Sequence, residues 1–179
     1  LDTVDLRRSN VYITLQIVNN DCDSRIQRAR FIENAQATSD SDIVGYNWLF
    51  IDLDPIRTSG VSSSEEELKA SFDLAKRVCA YMESLGFYPP LKAASGNGAH
   101  LLYKIALKQN DENKELVTKC LEALSALFDT DEVKIDTVNF NPARICKLYG
   151  TLAQKGSNTT QRPHRMSKII GECNSIQVN

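Results

Sequence analysis

The sequence predicts a single α+β domain in which a sheet packs under two helices. Its 179 residues are 42% hydrophobic, which is enough for one sizeable core. Residues 47–53 form a near-continuous apolar run, typical of a central strand buried on both faces. Residues 65–85 and 111–128 instead repeat apolar side chains at helical spacing. The order of strand, helix, two strands, helix and strand, with further strands at both ends, indicates an α+β fold.

The amino-terminal part is predicted to lead into the central strand. Residues 11–18 alternate as in a strand, and residues 21–34 have the composition of a helix. The polar stretch 35–41 is predicted to be a loop. The central strand then ends at Asp54 and Pro55.

Both long helices carry boundary signals and an apolar stripe. The first begins after three serines and three glutamates that offer several capping boxes, and it ends before Gly86. Its predicted stripe consists of Leu68, Phe72, Ala75, Val78 and Met82. The stripe predicted for the second helix consists of Leu116, Cys120, Leu124 and Leu127. Shorter strands are predicted at residues 91–94, 100–106, 133–138, 145–152 and 167–170.

Charge, cysteine content and hydropathy narrow the class of protein. The formal net charge of -2 argues against a chain that coats nucleic acid along its whole surface. The five cysteines include no C-x-x-C pair, so no zinc site is expected and the chain is predicted to be reduced and cytoplasmic. No apolar run approaches the ~20 residues that cross a bilayer, so no membrane partner is expected. The first residue, Leu1, indicates a piece of a longer protein.

Positive charge concentrates towards the carboxy terminus. Residues 141–170 contain no Asp or Glu. Their basic side chains are Arg144, Lys147, Lys155, Arg162, His164, Arg165 and Lys168. Such a segment suits a phosphate-rich partner, although a solvated basic face has the same composition.

Three acids are the candidate metal ligands. Asp52 and Asp54 flank Leu53 at the end of the central strand, so both carboxylates lie on one face of the sheet. Neighbouring carboxylates repel, which raises one pKa unless a cation lies between them, and Mg²⁺ and Mn²⁺ favour oxygen ligands. Asp136, in a later short strand, supplies a third acid, and three acids can hold two cations roughly 3.5–4 Å apart. Alternatively, Asp54 simply ends the strand, Asp52 is a semi-buried acid with ordinary hydrogen-bond partners, and Asp136 is a surface acid.

A glycine loop and a basic motif are the candidate anion-binding elements. The Ser-Gly-Asn-Gly turn at residues 95–98 would present backbone N–H groups to an anion, with Ser95 and His100 as side-chain donors. An ordinary glycine hairpin beside a structural histidine is the alternative. Arg144 and Lys147 would bind a triphosphate. If a strand starts directly after Arg144, the two side chains point to opposite faces, so Arg144 would act from the preceding loop.

Three motifs, in order, resemble those of the archaeo-eukaryotic primase superfamily. They are F-I-D-L-D-P from Phe50, S-G-N-G-A-H-L-L-Y from Ser95, and K-I-D-T-x-x-F-N-P-A-R-I-x-K-L-Y-G-T from Lys134. The resemblance spans about residues 11–170. The chain is most similar to the bacterial and phage primase-polymerases, above all to the catalytic core of the CRISPR-associated primase-polymerases.

The resemblance implies an RNA-recognition-like catalytic sheet and a template-dependent DNA primase and polymerase. Two divalent cations, Mg²⁺ or Mn²⁺ and not zinc, would be held by the catalytic acids Asp52, Asp54 and Asp136. The nucleotide would be bound by Ser95, Gly96, Asn97, Gly98, His100, Arg144 and Lys147. Nucleic-acid phosphates would be bound by Lys155, Arg162, His164 and Arg165. The implied partners are a single-stranded DNA template, a primer strand and nucleoside triphosphates, with flanking domains or CRISPR adaptation proteins beyond them.

One position departs from the family pattern. The second motif is often Ser-x-His, whereas Gly98 stands at that serine position and Ser95 lies three residues earlier. The resemblance therefore supports His100 more than Ser95 as a nucleotide ligand.

Three other functions were weighed on sequence grounds, two of them enzymatic and one a binding module. D-x-D after an apolar strand is also typical of haloacid-dehalogenase-like phosphatases, but these have Thr or Val where Ile56 stands and a later acidic pair where this chain has only Asp136. Sugar transferases use D-x-D too, but their chemistry does not require the basic segment. A non-catalytic nucleic-acid-binding module would display aromatic side chains where Asp52 and Asp54 stand.

Overall fold

The computed structural model describes residues 9–25, 35–171 and 177–179, and it confirms an α+β fold. The helices are α1 (Glu65–Ser84) and α2 (Asp111–Phe128). The strands are β1 (Tyr12–Thr14), β2 (Ile17–Val18), β3 (Ile43–Pro55), β4 (Leu91–Ala94), β5 (Ala99–Lys108), β6 (Val133–Ile135), β7 (Ile145–Lys147), β8 (Leu152–Ala153), β9 (Arg165–Met166) and β10 (Lys168–Ile170).

The main sheet is antiparallel and is organised around β3. Its strands lie in the order β10-β4-β5-β3-β2, and β6 pairs with the far end of β3. The succession β3-α1-β4-β5-α2-β6 is a split β-α-β arrangement. Both helices pack on one face of this sheet. The ribbon formed by β1 and β7 lies on the other face, where Cys146 packs against Phe50 and Leu102.

The core forms on the helix side because β3 alternates between two faces. Ile51 and Leu53 of β3 are fully buried in one cluster with Val78 of α1 and Leu121 of α2. Burying each such side chain contributes roughly 1.5–3 kcal/mol relative to leaving it exposed. The intervening residues, Asp52 among them, therefore lie on the opposite face of the sheet.

Helix α1 begins at one of the predicted capping boxes. The Ser64 side chain accepts the N–H of Glu67, and the Glu67 carboxylate accepts the N–H of Ser64 at 2.8 Å. Both bonds satisfy N–H groups that the first turn of a helix leaves without partners. The helix ends just before Gly86, whose positive φ of 89° favours glycine.

The predicted apolar stripe of α2 is confirmed at Leu124 and Cys120 and is wrong at Leu116 and Leu127. Leu116 and Leu127 are 55% and 58% exposed, whereas Val117, Leu121 and Leu124 are buried. Both sets have helical spacing, so the periodicity alone does not choose between them. The choice follows from the way the helix lies on the sheet.

The predicted strand at residues 11–18 is two short strands separated by Leu15 and Gln16. Gln16 Oε1 accepts the backbone N–H groups of Asn47 and Trp48, and Gln16 Nε2 donates to the Trp48 carbonyl. A side chain therefore takes the place of backbone pairing against β3 at this point. Of the predicted helix at 21–34, Asn20–Arg25 form a 3-10 helix, and 26–34 lie outside the described residues.

The later strands are shorter than predicted. The strand expected at 133–138 ends at Ile135, because the Asp136 side chain accepts the N–H of Val138 and caps the 3-10 helix Thr137–Phe140. The strand expected at 145–152 is divided into β7 and β8 by a turn in which the Thr151 hydroxyl donates to the Leu148 carbonyl.

None of the described helices combines the length and apolar content needed to cross a membrane. Cys22, Cys79, Cys120 and Cys146 are free thiols. Burial raises the pKa of Cys79 and of Cys120, as expected for thiols that pack as small core side chains.

Candidate active site

A polar cavity of about 350 Å³ brings the three predicted acids together. It lies on the side of the sheet opposite the helices, and we call it the acidic cavity. Its lining includes Asp52, Asp54, Asp136, Ser95, Asn97, His100, Arg144, Lys147 and Lys155. Residues that lie far apart in the sequence therefore meet at one end of β3.

Strand pairing positions the acids. Asp52 and Asp54 alternate with the fully buried Leu53, so both carboxylates lie on the cavity side of β3. Strand β6 pairs with the end of β3, where Leu53 lies opposite Ile135. The next residue, Asp136, donates its N–H to the Asp52 carbonyl at 2.9 Å. A backbone hydrogen bond therefore connects the two acidic segments directly.

Asp52 lies against His100, its partner in the β3-β5 register. His100 Nε2 is 3.3 Å from Asp52 Oδ1, and His100 Nδ1 is 2.8 Å from the Tyr149 hydroxyl. Burial opposes ionisation of both groups, but their attraction outweighs it, which lowers the pKa of Asp52 and raises the pKa of His100 to about 10. Aspartate and imidazolium therefore form a buried ion pair at neutral pH.

Of the two neighbouring acids, Asp54 is the one whose ionised form is disfavoured. Burial, and then repulsion from Asp52, raise the pKa of Asp54, whereas Arg57 lowers it less strongly. The Arg57 guanidinium lies 3.6 Å from Asp54 and also donates to the carbonyls of Pro55 and Val61. Sequence analysis did not identify Arg57. A basic residue three positions after the second acid of D-x-D was the available signal.

Asp136 forms an ion pair with Arg144 of the basic motif. Arg144 Nη2 donates to Asp136 Oδ2 at 2.9 Å, and Arg144 Nε donates to Asn139 Oδ1 at 3.1 Å. Arg144 lies just before β7, and it lines the same cavity as Lys147. Arg144 therefore lies in the preceding loop, as expected, and its role towards a triphosphate stays a prediction. Sequence analysis also gave no role to Asn139, which is buried beside this ion pair.

Lys147 is held inside the cavity wall. Its ammonium group donates to the Leu152 carbonyl at 2.8 Å and to Asn10 Oδ1 at 3.4 Å, and it lies over the Tyr12 ring. Burial lowers the pKa of Lys147. Lys155 lines the cavity as well. The cavity therefore combines three acids with several cationic groups.

The glycine loop lies against Asp54, and two of its N–H groups are bonded within the loop. Ser95 Oγ accepts the N–H groups of Asn97 and Gly98 at 3.2 and 2.9 Å. A Cβ atom at Gly98 would come within 2.7 Å of Asp54 Oδ1, so only glycine allows this approach. Asn97 Oδ1 accepts the N–H of Ser63 at 2.9 Å and ties the loop to the segment before α1.

Gly96 and three of the predicted nucleic-acid ligands lie outside the lining of the acidic cavity. Arg162 forms a bidentate pair with Glu67, with both distances 2.7 Å, and Arg165 pairs with Glu65 at 2.7 Å. His164 Nε2 is 2.9 Å from the Gly156 carbonyl. In the structure the two arginines brace the start of α1, and their role towards nucleic acid stays a prediction.

The donor set fits a hard divalent cation at the first two acids. Asp52 Oδ1 is buried and makes no well-directed hydrogen bond to a described residue, although His100 Nε2 is nearby. Asp54 beside it has a raised pKa, and a cation would relieve both conditions. Asp136 is paired with Arg144 instead, and no three His, Cys, Asp or Glu side chains in the described ranges form a group that could hold a metal ion.

The arrangement can bind an anionic, metal-chelating ligand, because carboxylates for a cation and side chains for phosphate oxygens share one cavity. The chain was also compared with known proteins. No protein-family model, no curated protein and no solved structure matches it.

Proposed function

We propose that the protein is a template-dependent DNA primase and polymerase, a nucleotidyltransferase that adds nucleoside triphosphates to a 3′-hydroxyl and also initiates primers. The observation that carries the proposal is the meeting of Asp52, Asp54 and Asp136 with His100, Arg144, Lys147 and Lys155 in one cavity. Nucleotidyl transfer requires this combination, because metal-bound oxygens and a triphosphate must lie side by side.

The fold supports the same proposal. The central strands in the order β4-β5-β3-β6, with both helices on one face, are compatible with the RNA-recognition-like sheet that the proposal requires. In nucleic-acid-binding modules of that kind, aromatic side chains on the open face stack on bases. Here the open face carries Asp52 and Asp54, which repel a phosphate backbone unless they bind cations. The open face therefore favours catalysis over simple binding.

Each side chain then has a role that its contacts suggest. Asp52 and Asp54 would hold a divalent cation, whose chemistry would be to activate the attacking hydroxyl and to stabilise the leaving pyrophosphate. Asp136 would be the third acid, and it is paired with Arg144 in the structure. His100, charged and held between Asp52 and Tyr149, keeps its protons on both ring nitrogens and attracts the triphosphate.

The test is primer synthesis and extension by the full chain on single-stranded DNA, with nucleoside triphosphates and either Mg²⁺ or Mn²⁺. We expect metal-dependent products from the wild type and a loss of roughly 10³-fold in Asp52→Asn/Asp54→Asn. The matched control, Asp73→Asn/Asp131→Asn, changes two acids outside the cavity and should retain activity.

Three outcomes would contradict the proposal. These are the absence of products with either metal, equal activity in both double variants, or phosphate release from a monoester without nucleotide addition. The last result would support the phosphatase alternative. Mn²⁺ binding, followed by electron paramagnetic resonance, gives a second readout that should weaken in Asp52→Asn/Asp54→Asn only.

A further inference from the structure

A second cavity, of about 920 Å³, lies on the helix side of the sheet. We call it the outer groove. Its apolar lining includes Leu68, Phe72, Cys79, Ala94, Leu101 and Ile170. It shares one lining residue, His100, with the acidic cavity. None of its apolar residues belongs to the proposed catalytic site.

The groove exists because two helices cover only part of a wide sheet. Helix α1 packs on β3, β5 and β6, and α2 packs on β6 and the following 3-10 helix. The outermost strands, β4 and β10, extend the sheet beyond α1 on one side. Among the described residues, no third helix covers these two strands.

Helix α1 carries two apolar stripes, and the second one faces the groove. Leu74, Val78 and Met82 are buried in the core. Leu68 and Phe72 are only half-buried and line the groove, and Phe72 also packs against the edge of the core. Both residues belong to the apolar stripe predicted from the sequence. A contiguous apolar surface of this kind on a folded domain is typical of an interaction site.

The rim of the groove is strongly basic. Lys76, Lys92, Arg165 and Lys168 line it, and Glu65 is the single acidic lining residue of the described chain. Glu65 is paired with Arg165, and Lys76 is paired with Asp73. Lys92 and Lys168 form no ion pair with a described residue. Within the described part of the chain, the apolar floor is therefore bordered by two lysines without an ionic partner.

We propose that the outer groove binds an acidic amphipathic helix of a partner protein. A helix beside α1 and above β4 and β10 would cover the part of the sheet that neither described helix covers. Its apolar residues contact Phe72 and Ile170, and its acidic residues lie near Lys92 and Lys168. The proposal does not depend on the catalytic function, because the floor of the groove lies on the opposite face of the sheet.

The test uses a fluorescein-labelled helical peptide of about 18 residues with leucines on one face and glutamates on the other. Fluorescence anisotropy measures its binding to the full chain. One comparison peptide keeps the leucines and replaces every glutamate with lysine, and a second keeps the composition but scatters the leucines around the helix. We expect saturable binding of the acidic amphipathic peptide and roughly tenfold weaker binding of the other two.

Two variants and their matched controls locate the binding. Lys92→Glu/Lys168→Glu should weaken it about tenfold, whereas Lys108→Glu/Lys119→Glu, at exposed positions elsewhere, should not change it. Ile170→Ser should also weaken binding. Leu127→Ser, which removes an exposed leucine on the outer side of α2, should leave binding unchanged.

The proposal is overturned if the acidic peptide does not saturate the chain, if the acidic and basic peptides bind equally, or if the groove variants bind like their controls. Displacement of the peptide by single-stranded oligonucleotide in Asp52→Asn/Asp54→Asn would identify a nucleic-acid surface instead, and would overturn it too. Primer synthesis that fails while the peptide binds as expected would reject only the catalytic proposal.

Discussion

The two faces of β3 differ in what they contribute to the protein. On the helix side, Ile51 and Leu53 are fully buried and stabilise the core. On the open side, Asp52 and Asp54 lie two residues apart in a cavity where burial and mutual repulsion raise the pKa of Asp54. A single strand therefore separates stability from chemistry by the alternation of its side chains. Substitutions on one face should change stability, and those on the other should change ligand binding.

The largest effect is expected on the helix side. Leu53→Ala leaves a cavity in the fully buried cluster and should lower the free energy of unfolding by about 3 kcal/mol. Urea denaturation measures the change, and Leu127→Ala, at a 58% exposed position, is the matched control with an expected change below about 0.5 kcal/mol. Equal effects of the two variants would contradict the assignment of the core face.

The second effect concerns the buried pair of Asp52 and His100, a polar contact on the open face that also stabilises the fold. The pKa of His100 is raised to about 10, so its contribution is complete below the unfolded value near 6.5 and is lost as pH rises towards 10. The pKa of Asp52 is lowered, so its contribution is present above about pH 4 and is lost as pH falls further.

Urea denaturation in chelator, from pH 6 to pH 10, tests this pair. The stability difference between wild type and His100→Gln should be on the order of 2 kcal/mol near pH 6 and should shrink steadily towards pH 10. A difference that stays constant over this range would show that the pKa of His100 is not raised in the folded protein.

The smallest effect sharpens the contrast between the two acids. Asp54→Asn removes a repelled carboxylate and should raise the free energy of unfolding at pH 7, in the absence of divalent metal, by up to about 1 kcal/mol. The gain is limited because the Asp54 side chain is 42% exposed and water screens the repulsion. Asp52→Asn, which removes the partner of His100, should instead destabilise the protein. Thermal denaturation of both variants measures the direction of each change in stability. A loss of stability in Asp54→Asn would show that this carboxylate is not repelled in the folded protein.

Much of the local structure could be predicted from the sequence. The buried run before Asp54, the serine cap of α1 and the bounds of α2 follow from spacing and capping residues that act within a few positions. The shared face of Asp52 and Asp54 follows from alternation alone. These features depend on neighbours in the chain, which the sequence contains explicitly.

Other features required the packed structure. Arg162 pairs with Glu67 across 95 positions of sequence, and the basic segment therefore includes side chains that brace a helix. The glycine loop lies close to Asp54 because β3 pairs with β5. From composition alone, the basic segment and the glycine loop are equally compatible with phosphate binding.

The sequence by itself determined the central strand, the two long helices and the candidate ligands, because those properties arise from local spacing. Only the tertiary structure decided that Val117, and not Leu116, is buried, and that Asp136 lies beside Asp52. It alone also revealed the outer groove. The physical reason is that burial and long-range pairing depend on how the sheet and helices pack. More than one set of residues has the spacing of a buried face, and the local sequence does not decide which set is buried.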